Sequence, residues 1–193
     1  MMRALPQKWF EGDAVALAPK LLGKIVKKGS CAGIIVETEA YANDPASHAY
    51  KVTKRSLPML ETYGHWYVYF TYGMHWCANV TTNKGSVGAV LIRAVEPIEG
   101  IALMRRRRAL SKSDFDERRI ANGPAKFCEA FGVTGRENWR AVGGDFAMYD
   151  APEIAKNDIA ISTRIGIREG IELPWRFFIR ENGFVSRKRR ASR

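Results

Sequence analysis

Two glutamates, a tyrosine and a histidine follow one another in the segment GIIVETEAYANDPASH, residues 33–48. Side chains alternate along a strand, so Glu37, Glu39 and Tyr41 share one face while Ile34, Val36 and Thr38 share the other. Carboxylates beside an aromatic at the end of an apolar strand can hold and deprotonate water next to a flat ring; equally, they can be the solvated face of a half-buried sheet. Arg93 shifts the balance. It interrupts a run at 87–95 that is otherwise apolar on both faces, and a charge there needs a carboxylate partner. A carboxylate fixed by a guanidinium stays ionised and keeps lone pairs for a water proton, which makes Glu39 the candidate base and Arg93 its holder. The plainer alternative is a structural ion pair.

A second constellation is aromatic. In YVYFTY, residues 67–72, alternation turns Tyr67, Tyr69 and Thr71 one way and Val68, Phe70 and Tyr72 the other. Tyr41, Tyr69 and His48 could sandwich a planar ligand, since aromatic faces stack on nucleobases and attract cationic rings. Ordinary cross-strand aromatic pairing is the competing reading.

The elements that must position these groups can be read in order. Asp13 caps a short helix over 14–22 that Gly23 closes and Pro19 splits. A strand over 34–41 leads into an irregular connection, 42–59, that carries His48, Lys51, Lys54 and Arg55. Strands at 66–72 and 76–82 form a hairpin turning near Gly73, with Tyr72 by its tip. After the strand at 87–95, Pro97 suits a first helical position, so 97–108 reads as a helix ending in four arginines, and 111–119 as a loose polar stretch. Asn122 and Pro124 begin a second helix through Ala130 that Gly132 closes, and strands follow near 159–167 and 176–180. No internal repeat or domain boundary interrupts the 193 residues.

The composition, 46% hydrophobic and 26% charged, is that of a globular chain with a sizeable core. The formal net charge of +11 points to a polyanionic partner. Five basic residues lie in the tail 187–193 and four in the run 105–108, which leaves 22 of 31 to set against 20 acids, so the excess is concentrated. Such clusters suit contact with phosphates, although 105–108 could instead close a helix through its dipole. Cys31, Cys77 and Cys128 are widely spaced with no CxxC pattern, which argues against a zinc site and a disulfide. No apolar run approaches the roughly 18 residues of a membrane span, and the N-terminus lacks a secretory pattern; no membrane partner and a cytoplasmic location, nucleoid-associated in a bacterium, are expected.

Beyond these readings, the chain resembles the alkyladenine (3-methyladenine) DNA glycosylases of the mammalian-type superfamily. The resemblance rests on LLGK (21–24), IVETEAY (35–41), YVYFTYGM (67–74), LIRAVEP (91–97) and GPAK (123–126), continuing more weakly through RIGI (164–167) and PWRFF (174–178). It implies an α/β (mixed α+β) fold: a single compact domain over 1–186, with a curved, largely antiparallel sheet flanked by helices, a protruding hairpin and a basic C-terminal tail at 187–193. It also implies a monomer without metal or cofactor. The partner would be double-stranded DNA containing damaged purines, which the enzyme flips out and releases by hydrolysis of the N-glycosidic bond without strand cleavage. By the same match, Glu39 is the general base and Arg93 helps to position the water. Tyr41, His48 and Tyr69 stack around the base, Asn79 discriminates against the amino group of guanine, and a main-chain group at Ile165 assists. Tyr72 wedges into the duplex, with Arg55, Met74 and Lys126 as candidates for the DNA backbone. The chain departs from mammalian relatives in a shorter loop at 42–47 and at Thr71, His75 and Trp76. A catalytically silent nucleic-acid-binding domain of similar fold is the alternative; a small-molecule hydrolase would give Tyr72 no role.

Overall fold

The computed structural model describes residues 2–82, 86–111 and 116–186. An antiparallel sheet grows from one long strand, β2 (Cys31–Tyr41). On one side β2 pairs along its length with β5 (Ala89–Glu99); on the other it pairs with β1 (Ile25–Lys28) near its start and β8 (Arg176–Ile179) near its end. The hairpin β3 (Trp66–Thr71) and β4 (His75–Thr81) extends the sheet beyond β5, while β6 (Phe146–Tyr149) adds to β1 and β7 (Ile159–Ser162) to β8. Short helices complete the single mixed α/β domain: α1 (Ala14–Leu17), α2 (Leu57–Glu61), α3 (Ile101–Arg107) and α4 (Pro124–Phe131).

Alternation separates a core face from a site face. Trp66, Val68, Ala78, Val80, Val90 and Ile92 join the main core, against α1 and α4 residues such as Leu17, Phe127 and Phe131. Their neighbours Tyr67, Tyr69, Cys77, Asn79, Leu91 and Arg93 line a cavity on the opposite face. A β-bulge in β2 between Ile35 and Glu37 alters the expected pattern. Ile35 packs in the same core as Ala40, whereas Ile34 and Val36 do not, so the extra residue at the bulge inverts the strand's first half while Glu37, Glu39 and Tyr41 stay together.

Several elements fall where the sequence puts them. Asp13 accepts from the Ala16 N–H, and the N-terminal helix breaks at Pro19 into α1 and a 3-10 turn, Pro19–Leu21. α4 starts at Pro124 and ends on Gly132, whose φ is +66°. The expected helix from Pro97 is wrong: Pro97 lies in β5, opposite Gly33, and α3 begins only after Gly100. Gly100 has φ +75° and a Cβ there would lie 2.5 Å from the Ser30 carbonyl, so sheet pairing prevails over the local helix signal. The arginine run does close α3, as the dipole reading has it. Arg107 donates to the Ala130 carbonyl, and Arg108 donates to the Ile120 carbonyl and pairs with Glu129, so these two tie α3 to α4. The strand expected over 159–167 stops at Ser162, and Glu117–Arg119 form a 3-10 turn capped by Asp116. Residues 112–115 and the tail at 187–193 lie outside the described residues.

Candidate active site

Arg93 meets two carboxylates. Its Nε donates to Glu37 Oε1 at 3.0 Å and its Nη1 to Glu39 Oε2 at 3.1 Å. Both glutamates are 0% exposed, which removes the reading of a solvated face. Their roles differ by the partners around them.

Glu37 is saturated. Besides Arg93 it accepts from Arg176 Nε at 2.6 Å, from the Ser186 N–H at 2.7 Å and from the Ser186 hydroxyl at 2.8 Å. Burial acts to raise its pKa, but Arg93, Arg176 and Ser186 outweigh it and hold the carboxyl below its ordinary range. A carboxylate so committed is a structural anion.

Glu39 keeps capacity in reserve. Oε2 accepts from Arg93 and, at 2.9 Å, from the Tyr41 hydroxyl; among the described residues Oε1 accepts only from the Ile165 N–H, at 2.7 Å. Two oxygens offer about four lone-pair sites, so Oε1 retains one for a further donor. Tyr41, Arg93 and Ile165 all line the cavity, and the carboxylate they hold lies behind that wall.

The cavity, about 500 Å³, is bounded by Tyr41, His48, Tyr67, Tyr69, Asn79, Leu91 and Ile165, with Thr71 and Tyr72 from the hairpin. The size fits one aromatic heterocycle with part of its sugar. Tyr72 is 80% exposed and sits in the hairpin turn with φ +51°, followed by Gly73 at +65°. Turn geometry therefore overrides strand alternation and brings Tyr72 to the cavity on the side of Tyr69 and Thr71. Asn79 is buried, its amide donating to the Tyr67 carbonyl at 3.0 Å.

His48 reaches the cavity despite the short loop. Asp44 accepts from the N–H groups of Ala42 and Ala46, which folds 42–47 into a tight turn and delivers His48 to Tyr67 and Tyr69. Its Nδ1 is 2.8 Å from the Tyr67 hydroxyl and its ring meets Tyr69 edge-on at 4.6 Å. Burial, and then the charge of Arg55, lowers its pKa from 6.5 to about 4. The imidazole is therefore neutral near pH 7, a hydrogen-bonding group and not a proton source.

That shift has a consequence for stability. An unfolded chain takes up a proton at this histidine below about pH 6.5, while the folded one resists until about pH 4. Stability should thus fall as pH drops from 6.5 towards 4, a window above that of the carboxylate Glu37, whose pKa lies below 4.5. Replacing His48 by glutamine should flatten the melting temperature across that window; an unchanged slope in calorimetry would refute it.

The remaining candidates are placed less uniformly. The Arg55 guanidinium covers the Tyr69 ring at 4.7 Å and donates to the Phe70 carbonyl at 2.7 Å. Lys126 donates to Asn122 at 2.6 Å, and Met74 is exposed beside the hairpin tip. Sequence reasoning missed Arg164, buried between the Tyr41 and Trp175 rings and paired with Asp44. A signal was present: Arg164 is the one charged residue in IAISTRIGI (159–167), as Arg93 is in the run at 87–95, and the same demand for a partner applies.

A buried carboxylate with acceptor capacity in reserve, held behind an aromatic cavity in a strongly basic chain, is an arrangement able to serve hydrolysis beside a flat ring. The profile of the methylpurine-DNA glycosylase (MPG) family matches residues 8–183, and the chain belongs to that family. Its relatives include proteins provisionally named 3-methyladenine DNA glycosylase. One from Agrobacterium fabrum is 43% identical over 95% of this chain and 93% of its own length. Others from Carboxydothermus hydrogenoformans and Chlorobium luteolum are 42% and 41% identical, each over 99% of its own length.

Proposed function

We propose that this protein is a DNA glycosylase that extracts alkylated purines from duplex DNA and hydrolyses their N-glycosidic bond. The observation that carries the reading is Glu39: fully buried, held by Arg93, Tyr41 and Ile165, with acceptor capacity left at Oε1. Family membership supplies the substrate class.

A purine stacked between Tyr41, His48 and Tyr69 presents its sugar towards the wall in front of Glu39. Glu39 accepts a proton from water as the water oxygen bonds to C1′; the C1′–N bond breaks and its electron pair leaves with the base. A 3- or 7-alkylated purine is cationic, so it leaves as a neutral molecule without added protonation. This suits a site whose histidine is neutral. The carboxylate also stabilises the positive charge that develops on the sugar. Among the described residues no lysine lines the cavity, and the product in this reading is an intact strand with an abasic site.

Extrusion costs a few kcal/mol, and an inserted aromatic offsets part of the lost stacking. In this reading Tyr72, exposed at the hairpin turn, supplies that wedge, and Asn79 is the group that rejects normal guanine. Glycosylases of this kind act where DNA is held, in the cytoplasm and on the nucleoid of a bacterium.

The test is release of methylated purines from methylated duplex and from the same DNA as single strands. Wild-type protein should release base from the duplex, leaving alkali-labile sites; binding without release would leave only a silent DNA-binding domain. Tyr72→Ala should lose about tenfold or more on duplex and less on single strands, where no stack needs a replacement. Equal losses on both would remove Tyr72 from flipping.

A further inference from the structure

Arg164 lies at the seam between two loops. It is 0% exposed, and its guanidinium grips Asp44 with Nη2 on Oδ1 at 2.6 Å and Nη1 on Oδ2 at 3.2 Å. Asp44, 3% exposed, organises the turn that ends in His48. Nη1 also donates to the Ala40 carbonyl at 3.1 Å, in the strand between Glu39 and Tyr41, and the guanidinium lies against the Tyr41 ring at 4.8 Å and the Trp175 ring at 5.1 Å. Arg164 is not a lining residue, so it reaches Tyr41 from outside the cavity. The next residue along the chain is Ile165, whose N–H fixes Glu39 at 2.7 Å.

A buried ion pair is a weak source of stability, because desolvation of two charges offsets most of their attraction. Here the cost is higher still: Arg164 Nε is a buried polar atom with no partner among the described residues. Hydrophobic residues could fill the space with less penalty. What they could not do is hold four things at fixed separations: the His48 turn, the strand at Ala40, the back of Tyr41 and the peptide at 164–165.

We infer that Arg164, clamped on Asp44, is a positioning residue of the site, setting the Ile165 N–H against Glu39 and the Tyr41 and His48 walls against each other. The inference rests on Glu39 being the base. It predicts an effect on the chemical step: displacement of a reacting group by about 1 Å can cost on the order of 100-fold in rate, while groove contacts with DNA stay in place.

Arg164→Lys keeps the buried charge and loses the fork; Asp44→Asn keeps the shape of the turn and loses the charge. Single-turnover release from methylated duplex is measured with enzyme in excess, at a temperature where circular dichroism shows each variant folded. Affinity is measured on duplex holding a tetrahydrofuran abasic analogue. Lys24→Met, which removes the buried cation of another ion pair, Lys24 with the half-exposed Asp150, serves as a control for lost stability, and Glu39→Gln as a control for the base. Both site variants should release base at least tenfold more slowly with affinity within threefold of wild type, while Lys24→Met keeps its rate. Rates within twofold of wild type, losses matched by Lys24→Met, affinity falling in step with rate, or failure of both site variants to fold would each overturn the inference. If Glu39→Gln turns over normally, the assignment of the base fails instead, whatever Arg164 does.

Discussion

Replacing Glu39 by glutamine should slow base release by about 10²–10⁴-fold under single-turnover conditions, with binding to damaged duplex nearly unchanged. Glutamine has the same shape but offers one oxygen and two N–H donors. If its oxygen takes the place of Oε2, between Arg93 and Tyr41, its amide faces the Ile165 N–H, donor against donor. The variant should therefore be somewhat less stable, so the rate is to be read well below its melting temperature. Turnover equal to wild type would remove Glu39 from the chemistry; the carboxylate that lines the cavity itself, Glu169, is exposed. Glu37 is committed to Arg93, Arg176 and Ser186.

Arg93→Met should be the most damaging single change to the fold. Glu37 would retain Arg176 and Ser186, but among the described residues Glu39 would keep only Tyr41 and Ile165, a fully buried carboxyl group with no cation in contact. Breaking a buried pair from one side typically costs about 3–5 kcal/mol. For a domain of this size that corresponds to a melting temperature lower by roughly 10 °C. Release should fall even in the folded fraction, because Arg93 no longer holds Glu39 in place. A double replacement, Glu39→Gln with Arg93→Met, should recover part of the stability and none of the activity. If the single and double variants melt together, the buried charge is not what Arg93 serves.

The sequence made some of this legible, for reasons specific to each residue. Arg93 could be assigned a carboxylate partner because an arginine in a strand apolar on both faces has few alternatives, and the period-two pattern of β3 placed Tyr67 and Tyr69 on one face, while Tyr72, assigned to the other, reaches the same cavity through the turn. What escaped was long-range. Whether Glu37 or Glu39 retained a lone pair depended on Arg176 and Ser186, 139 and 149 residues further along the chain. The bulge at Val36 cannot be read from alternation, since it is the place where alternation fails. Pro97 and Glu99 carried a sound local helix signal, which lost to pairing across the sheet.

The attachment of β2 to three neighbours has a bearing on dynamics. Glu39 belongs to the element most thoroughly tied into the sheet, so it can be released only when that sheet opens as a unit. The turn at 42–47 and the hairpin tip at Tyr72 are borne on irregular chain at its margins. Under the proposed function, adjustment to an extruded nucleotide would fall to that periphery, and the geometry of bond cleavage would endure as long as the native state itself.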